Sequence, residues 1–276
     1  MNPASDAPAK PGIPFGGEAF DLPAVAGPTR SYIIASTPRS GSTLLCDLLL
    51  ATGRLGVPTE YFNAKDTVKA MAARLGLPHP PPTDDYLRAV RQRRTSANGV
   101  FGAKLHFHQA AERLPHPVFR RFLAESRFVW LRRRDLLAQS ISLALAWQTD
   151  RWFVPADGAA AAEPPKDEPP ISYAALTRAM SLIQGENAYW GFFFQANRIE
   201  PLLIDYEAML DRPAAAVSAV LTLVGETPEH EVRLDGARFG RQADQRNARV
   251  RAEIMNNLRV RPRSPAAPAA PAPAEG

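Results

Sequence analysis

Cysteine is nearly absent from this chain of 276 residues, in which Cys46 stands alone, and no apolar run approaches the length of a membrane span. A single cysteine excludes an internal disulfide, and the leucines around it predict a buried, inert thiol. The first residues also lack the basic stretch followed by an apolar stretch that marks an export signal. We therefore expect a cytoplasmic protein without a membrane span.

Neither sign of charge dominates, since 33 lysines and arginines face 28 acidic residues and give a net charge of +5. This balance favours anionic ligands without identifying one. Arginines cluster at 91–94 and at 132–134, but aromatic residues are not interleaved with them in a recognisable nucleic-acid-binding pattern. Nucleic acid is therefore not expected as a partner, and the first cluster is predicted to be a solvated helix face.

Both ends of the chain, residues 1–30 and 259–276, are rich in proline, alanine and glycine. Such segments bury too little surface to offset the entropy of ordering, so we expect disordered tails. Residues 155–170 have a similar low-complexity composition and predict a surface insert. The remaining stretch, 31–258, is long enough for one α/β domain with a sizeable core.

The most informative stretch is 31–53, SYIIASTPRSGSTLLCDLLLATG. Its hydrophobic period changes from strand to helix across the loop TPRSGST. A strand–loop–helix unit points unpaired backbone N–H groups and the positive end of the helix dipole at one spot, which suits a phosphate. The candidate ligands in this loop are Arg39, Ser40, Gly41, Ser42 and Thr43.

Two other interpretations of this loop stay open. A Walker A loop of a kinase needs a lysine after the glycine, whereas here the cation, Arg39, precedes Gly41. Asp205, which follows an apolar run at 201–204, would be a Walker B carboxylate for magnesium in that case. Alternatively Ser42 or Thr43 is a plain helix cap, and the chain is catalytically silent.

The rest of the chain alternates short apolar strands with helices. A strand predicted at 100–105 places Lys104 and His106 on one of its faces. A continuous apolar run at 127–131 predicts a buried strand, which is followed directly by Arg132 to Arg134. Cations near the N-terminus of the helix that follows are unfavourable unless a bound anion compensates their charge. The pattern predicts a parallel sheet flanked by helices on both faces, with the ligand at the carboxyl ends of the strands.

A helix predicted at 172–197 carries many aromatic residues near its end. Packing in the core accounts for them most simply. A platform for a sugar ring or a contact in a homodimer is the alternative interpretation.

The loop S-T-P-R-S-G-S-T-L-L resembles the 5′-phosphosulfate loop of sulfotransferases that use 3′-phosphoadenosine 5′-phosphosulfate (PAPS), with arginine in place of the usual lysine. The chain is similar to the bacterial trehalose 2-sulfotransferase family, with further matches in family order at 58–62, 99–105, 131–142 and 241–246. The resemblance implies the P-loop-like sulfotransferase fold. It also implies metal-free, in-line transfer of a sulfuryl group from PAPS to a hydroxyl of a trehalose-like sugar, a related metabolite or a glycolipid.

The resemblance assigns roles around the transferred group. Glu60, an unremarkable loop carboxylate by itself, matches the general base that the family is proposed to use. Lys104 and Arg39 would lie against the sulfuryl group. His106 occupies the position of the base in the wider superfamily, and is a second candidate because trehalose sulfotransferases do not all keep it.

The resemblance also implies a site for the 3′-phosphate of the donor. Arg133 and Ser142 match it best, whereas Arg132 with Ser140 keeps the spacing of the wider superfamily, so the register stays open. Two later residues match the last nucleotide-binding segment of the family, namely Arg241 and Gln242.

Overall fold

The computed structural model describes residues 15–28, 30–63, 67–81, 83–152, 170–227 and 245–259. Within them lies a four-stranded sheet formed by β1 (Arg30–Ser36), β2 (Val100–His106), β3 (Ser126–Arg132) and β4 (Leu202–Asp205). The strand order is β2-β1-β3-β4, and every pair is parallel. All four carboxyl ends therefore meet at one edge, as the alternation of strands and helices predicted.

Ten α-helices accompany the sheet in the described ranges: α1 (Ser42–Ala51), α2 (Thr67–Arg74), α3 (Thr83–Arg94), α4 (Phe107–Ala111), α5 (Pro117–Ala124), α6 (Leu136–Thr149), α7 (Tyr173–Asn197), α8 (Tyr206–Asp211), α9 (Pro213–Leu223) and α10 (Gln245–Leu258). The segment after β4 forms two helices, α8 and α9. Pro213 begins the second, because proline lacks an N–H and is best tolerated in the first turn of a helix.

Alternate residues of the central strand β1 face two different cores. Tyr32 and Ile34 pack with the apolar faces of α1 and α9, in a mostly aliphatic cluster. Ile33 and Ala35 pack on the opposite side, in a cluster rich in aromatic rings that includes Trp190 of α7. The predicted P-loop-like α/β architecture, with helices on both faces of a parallel sheet, is confirmed.

Some residues that precede the predicted domain boundary at residue 31 pack against the domain. Phe15 is buried in the aliphatic core, and its carbonyl accepts a hydrogen bond of 2.9 Å from the guanidinium of Arg94. Arg94 is fully buried and lies 2.9 Å from Asp21, so this arginine does not belong to a solvated helix face. A buried guanidinium needs acceptors for its N–H groups, and the N-terminal segment supplies them.

The predicted insert at 155–170 and the predicted tail at 259–276 lie outside the described residues, apart from Pro170 and Arg259. Their organisation stays a prediction. Among the helices that the structure describes, none is long and apolar enough to cross a membrane.

The thiol of Cys46 is buried in α1, as the sequence predicted. Burial raises its pKa to about 12, an effect that the nearby charge of Lys104 only partly opposes. The group is therefore protonated and inert at neutral pH.

Candidate active site

The loop between β1 and α1 has an unusual backbone. Arg39 and Gly41 both adopt left-handed conformations, with φ of 63° and 89°. At Gly41 a side chain would also lie 2.3 Å from a ring atom of Tyr206, so only glycine fits there. The loop thus holds its backbone tightly against α8 at the point where α1 begins.

This loop leaves several polar groups without partners in the part of the chain that is described. Helix α1 starts at Ser42 with no side-chain cap, so the N–H groups of its first turn have no side-chain acceptor there. The hydroxyl of Ser40 is fully buried and has no hydrogen-bond partner. An uncapped helix start beside a buried unpaired hydroxyl is an arrangement that a bound anion satisfies.

The guanidinium of Arg39 lies over this loop. Its Nε donates to Oγ of Ser142 at 2.9 Å, and a second nitrogen donates to the carbonyl of Trp152. Arg133 reaches the same loop, because its NH1 donates to the carbonyl of Arg39 at 3.4 Å. Arg39, Arg133 and Ser142 therefore meet at one place.

Arg132 and Ser140, the alternative pair for the 3′-phosphate, have partners away from the loop. The hydroxyl of Ser140 donates to the carbonyl of Leu136, 2.8 Å away in its own helix. The guanidinium of Arg132 stacks on the ring of Trp130, 4.8 Å from the ring centroid. Arg132 and Ser140 are thus not brought together with the loop as Arg133 and Ser142 are.

Beside Arg133 the carboxyl ends of β3 and β4 open into a cleft of about 520 Å³. It is lined by Trp130, Arg132, Arg133, Arg134, Asn187, Ala188 and Asp205. Four buried polar atoms of these residues have no partner within the described ranges: Trp130 Nε1, Arg133 Nε, Asn187 Oδ1 and Asp205 Oδ1. Unpaired donors and acceptors around one cleft indicate a binding site for a polar ligand.

On the other side of β1, a largely buried carboxylate, whose side chain is 20% exposed, lies at the carboxyl end of β2. Glu60 Oε1 is 2.7 Å from Lys104 Nζ and 3.5 Å from His106 Nε2. Its second oxygen accepts from Gln109 Nε2 at 2.9 Å and from Asn63 Nδ2 at 3.1 Å. Both carboxylate oxygens are therefore held by donors.

The charges of this cluster stabilise one another. Burial by itself would raise the pKa of Glu60, but the ammonium of Lys104 and then His106 outweigh it and hold that pKa well below its usual range. Burial would likewise lower the pKa of Lys104, and Glu60 reverses this so that the pKa is raised. The two groups form an ion pair at neutral pH.

Lys104 also joins this cluster to the loop, because its Nζ lies 3.2 Å from Oγ1 of Thr43. His106 is fixed from behind, since its Nδ1 lies 3.1 Å from the carbonyl of Ser36. A carbonyl only accepts, so we assign a proton to Nδ1, and Nε2 is the ring nitrogen that faces Glu60.

Comparison with protein families decides what kind of enzyme carries this site. The model of the Stf0 sulphotransferase family matches residues 31–252. The chain belongs to the Stf0 sulphotransferase family. It is therefore a sulfotransferase, an enzyme that moves a sulfuryl group from a donor to an acceptor, and the kinase interpretation is not favoured.

Two curated relatives of this Stf0 sulphotransferase are both described as trehalose 2-sulfotransferases. The protein of Mycobacterium tuberculosis is 27% identical, over 72% of this chain and 86% of the relative. That of Mycolicibacterium smegmatis is 26% identical, over 79% of this chain and 91% of the relative. Among solved structures, the sulfotransferase domain of the Synechococcus PCC 7002 olefin synthase matches with a TM-score of 0.49 and 14% identity, over 83% of this chain and 95% of that one.

Sequence reasoning missed several groups of this Stf0 sulphotransferase site. The amides of Gln109 and Asn63 hold Glu60, and the pair of His108 and Glu186 lies next to His106. A signal for Gln109 was present, because it follows His106 by three residues where a strand meets a helix, which is the spacing of a capping box. The predicted donor contacts Arg241 and Gln242 lie outside the described residues.

Proposed function

We propose that this sulfotransferase moves the sulfuryl group of PAPS to a hydroxyl of a sugar, with trehalose as the first candidate acceptor. The acceptor is suggested by the two relatives described as trehalose 2-sulfotransferases. The observation that carries the proposal is the position of Lys104 Nζ, 2.7 Å from the carboxylate of Glu60 and 3.2 Å from the loop hydroxyl of Thr43. One cation thus connects a candidate base to a candidate phosphosulfate site.

The donor would lie along the carboxyl edge of the sheet. The loop amides, Ser40 and Arg39 hold the 5′-phosphosulfate, where an uncapped helix start and an unpaired hydroxyl favour an anion. Arg133 and Ser142 hold the 3′-phosphate, helped by the predicted contacts Arg241 and Gln242. The cleft beside Arg133 takes the nucleoside, whose polar edges match its unpaired donors and acceptors.

In the reaction, the acceptor oxygen attacks sulfur as the bond from sulfur to the 5′-phosphate oxygen breaks. Negative charge spreads over the sulfuryl oxygens and the leaving adenosine 3′,5′-bisphosphate (PAP). Arg39, Lys104 and the loop amides stabilise that charge. The hydroxyl proton goes to Glu60.

Glu60 is a weak base in the free protein, since Lys104 lowers its pKa. When Lys104 turns to the charge that develops on the donor, Glu60 loses its main stabilising partner and becomes more basic. The pair therefore couples proton removal to sulfuryl transfer. His106, whose Nε2 lies 3.5 Å from Glu60 Oε1, is the second candidate base.

The experiment combines calorimetry with an assay of transfer. For binding, PAP and ATP are titrated into the protein with and without magnesium. For transfer, the protein is supplied with PAPS and trehalose, and sulfated sugar is measured by mass spectrometry. We expect PAP to bind without magnesium and trehalose to be sulfated. Magnesium-dependent binding of ATP in preference to PAP would overturn the proposal in favour of a kinase.

The matched control is a titration of adenosine 5′-phosphosulfate, which lacks the 3′-phosphate. It should bind more weakly than PAPS if the arginines beside the cleft read that phosphate. Binding of PAP without transfer to any hydroxylated acceptor would favour a catalytically silent nucleotide-binding protein.

A further inference from the structure

The pair formed by Glu186 and His108 has no part in the mechanism above. His108 follows β2 in the first turn of α4, and its Nδ1 is hydrogen-bonded to Oε1 of Glu186 on α7. The Glu186 side chain is 10% exposed, whereas that of His108 is 53% exposed. The hydrogen bond to Glu186 raises the pKa of His108 more than burial lowers it. The pair thus presents an imidazole to solvent and keeps its carboxylate inside.

This pair is incomplete by itself. Oε2 of Glu186 is buried and has no hydrogen-bond partner among the residues that the structure describes. A buried acceptor without a donor destabilises the folded protein. The pair is thus poorly explained as a device that merely ties α4 to α7.

The imidazole of His106 lies between this pair and the carboxylate of Glu60. The rings of His106 and His108 are stacked with centroids 5.9 Å apart, and Nε2 of His106 is 3.5 Å from Glu60. A substrate whose hydroxyl reaches Glu60 therefore has its neighbouring atoms near His108.

An aromatic wall lies beside the pair. Phe107, next to His108 in the chain, stacks on Tyr189 with centroids 5.0 Å apart and planes at 10°. Tyr189 follows Glu186 by three residues, so both lie on one side of α7, and its side chain is 57% exposed. An exposed aromatic face beside hydrogen-bonding groups suits a ligand that is apolar on one side and polar at its rim, as a sugar ring is.

We propose that Glu186, His108 and the ring of Tyr189 form a subsite for the second ring of a disaccharide acceptor, while the first ring presents its hydroxyl to Glu60. A hydroxyl of the second ring donates to Glu186 Oε2, and the imidazole of His108 donates to another. This inference rests on the proposed function and deepens it. The three residues are specificity-determining, because they recognise the acceptor without contacting the reacting atoms.

The test compares trehalose with glucose as acceptors of the full-length protein. Glu186→Gln should raise KM for trehalose about tenfold or more, as expected for a charged hydrogen bond, and Tyr189→Ala should raise it by a few-fold, as expected for the loss of an aromatic stacking contact. The value of kcat should change by less than about threefold, and the affinity for PAP should not change. With glucose, which has no second ring, the variants should match the wild type.

Two controls separate recognition from structure. Tyr189→Phe keeps the ring and should retain the wild-type KM. Glu200→Gln removes an exposed carboxylate just before β4, at the opposite end of the strands from the site, and should change nothing.

Each other outcome overturns the subsite. If the variants change KM equally for trehalose and glucose, the pair of Glu186 and His108 is structural. If the protein forms a concentration-dependent dimer that Tyr189→Ala abolishes while KM stays unchanged, the exposed ring of Tyr189 contacts a second copy of the chain. Sulfation of trehalose by wild type with unaffected variants would overturn the subsite alone. If the wild-type protein binds PAP but sulfates no disaccharide, the acceptor class of the proposed function fails together with the subsite.

Discussion

The two sites on either side of β1 differ in whether the protein itself compensates their charged side chains. At the end of β2, Glu60 and Lys104 neutralise each other 2.7 Å apart. At the end of β3, Arg133 contacts a carbonyl and the ring of Tyr206 rather than a carboxylate within the described ranges, and its Nε has no partner. The first group is complete without a ligand, whereas the second is built to be completed by one.

The comparison shows where binding energy and catalysis reside. A base must be held in place before the substrate arrives, so its charge is compensated by the protein itself. A donor site that leaves cations and N–H groups unsatisfied lowers the stability of the free protein, and recovers that loss only when an anion binds. The predictions below test this division.

The largest effect is expected at the compensated end. Glu60→Gln keeps the size and hydrogen bonding of the side chain but removes its basicity, so kcat should fall by ~10²–10⁴-fold. The affinity for PAP, measured by calorimetry, should change little. His106→Asn is the rival variant. Full activity of Glu60→Gln together with an inactive His106→Asn would show that histidine is the base.

Removing the cation should lower the free energy of unfolding much more at Lys104, at the end of β2, than at Arg133, after β3. Lys104→Met leaves Glu60 as a carboxylate held by amides and histidine, with a side chain that is 20% exposed. The free energy of unfolding in urea should therefore fall by about 3 kcal/mol, the low end for a broken buried pair. Arg133→Met, the matched change at the other end, loses a contact with an aromatic ring and should alter it by less than about 1 kcal/mol. Equal losses would contradict the comparison.

The pH dependence provides a control for this experiment. The pKa of Glu60 is lowered in the folded protein from an ordinary value of 4.5, so its stabilising contribution is complete above that pH and is lost as the pH falls through the folded value. The stability difference between wild type and Lys104→Met should therefore shrink in acid. A stability difference that does not shrink at all as the pH falls below 4.5 would assign it to lost packing instead.

Donor affinity should show the reverse pattern. A charged hydrogen bond contributes roughly 1.5–3 kcal/mol, so Arg133→Met should weaken the binding of PAP at least tenfold. Adenosine 5′-phosphosulfate, which lacks the 3′-phosphate, should lose little from the same change. Equal losses for both nucleotides would indicate a general electrostatic effect or a role for Arg132.

The smallest effect concerns the two serines of α6. Ser142→Ala removes one acceptor of the Arg39 guanidinium, which keeps its other contact with the carbonyl of Trp152, so PAP binding should weaken by only a few-fold. Ser140→Ala breaks only a bond within its own helix and should leave the affinity unchanged. The opposite result would move the site to Arg132 and Ser140.

Local sequence patterns were sufficient for the loop and for the four strands, because a change of hydrophobic period and a run of loop donors are properties of neighbouring residues. The burial of Arg94 was not predictable, since its acceptors come from residues 15–21, whose composition resembles a tail. The contact between Glu60 and Lys104 likewise depends on how the intervening segment folds. The resemblance to a family suggested their roles, but not their distance.

The register of the arginine cluster shows the same limit. Side chains alternate along a strand, so Arg132, the last residue of β3, lies on the same face as Trp130, whereas Arg133 follows the strand and reaches the loop. The sequence alone does not fix where β3 ends, and a shift of one residue would exchange the two. The boundary between α8 and α9, by contrast, lies at Pro213, and proline is a helix-start signal that can be recognised in the sequence.

The inert thiol of Cys46 has a practical consequence for spectroscopy. Reagents that modify cysteine attack the thiolate, and a buried group with a pKa of about 12 offers almost none at neutral pH. A cysteine introduced in place of Trp152, whose side chain is 40% exposed, would therefore be the one site that accepts a fluorescent label. Because the carbonyl of that residue accepts a hydrogen bond from Arg39, the label would stand next to the loop that we propose binds the donor.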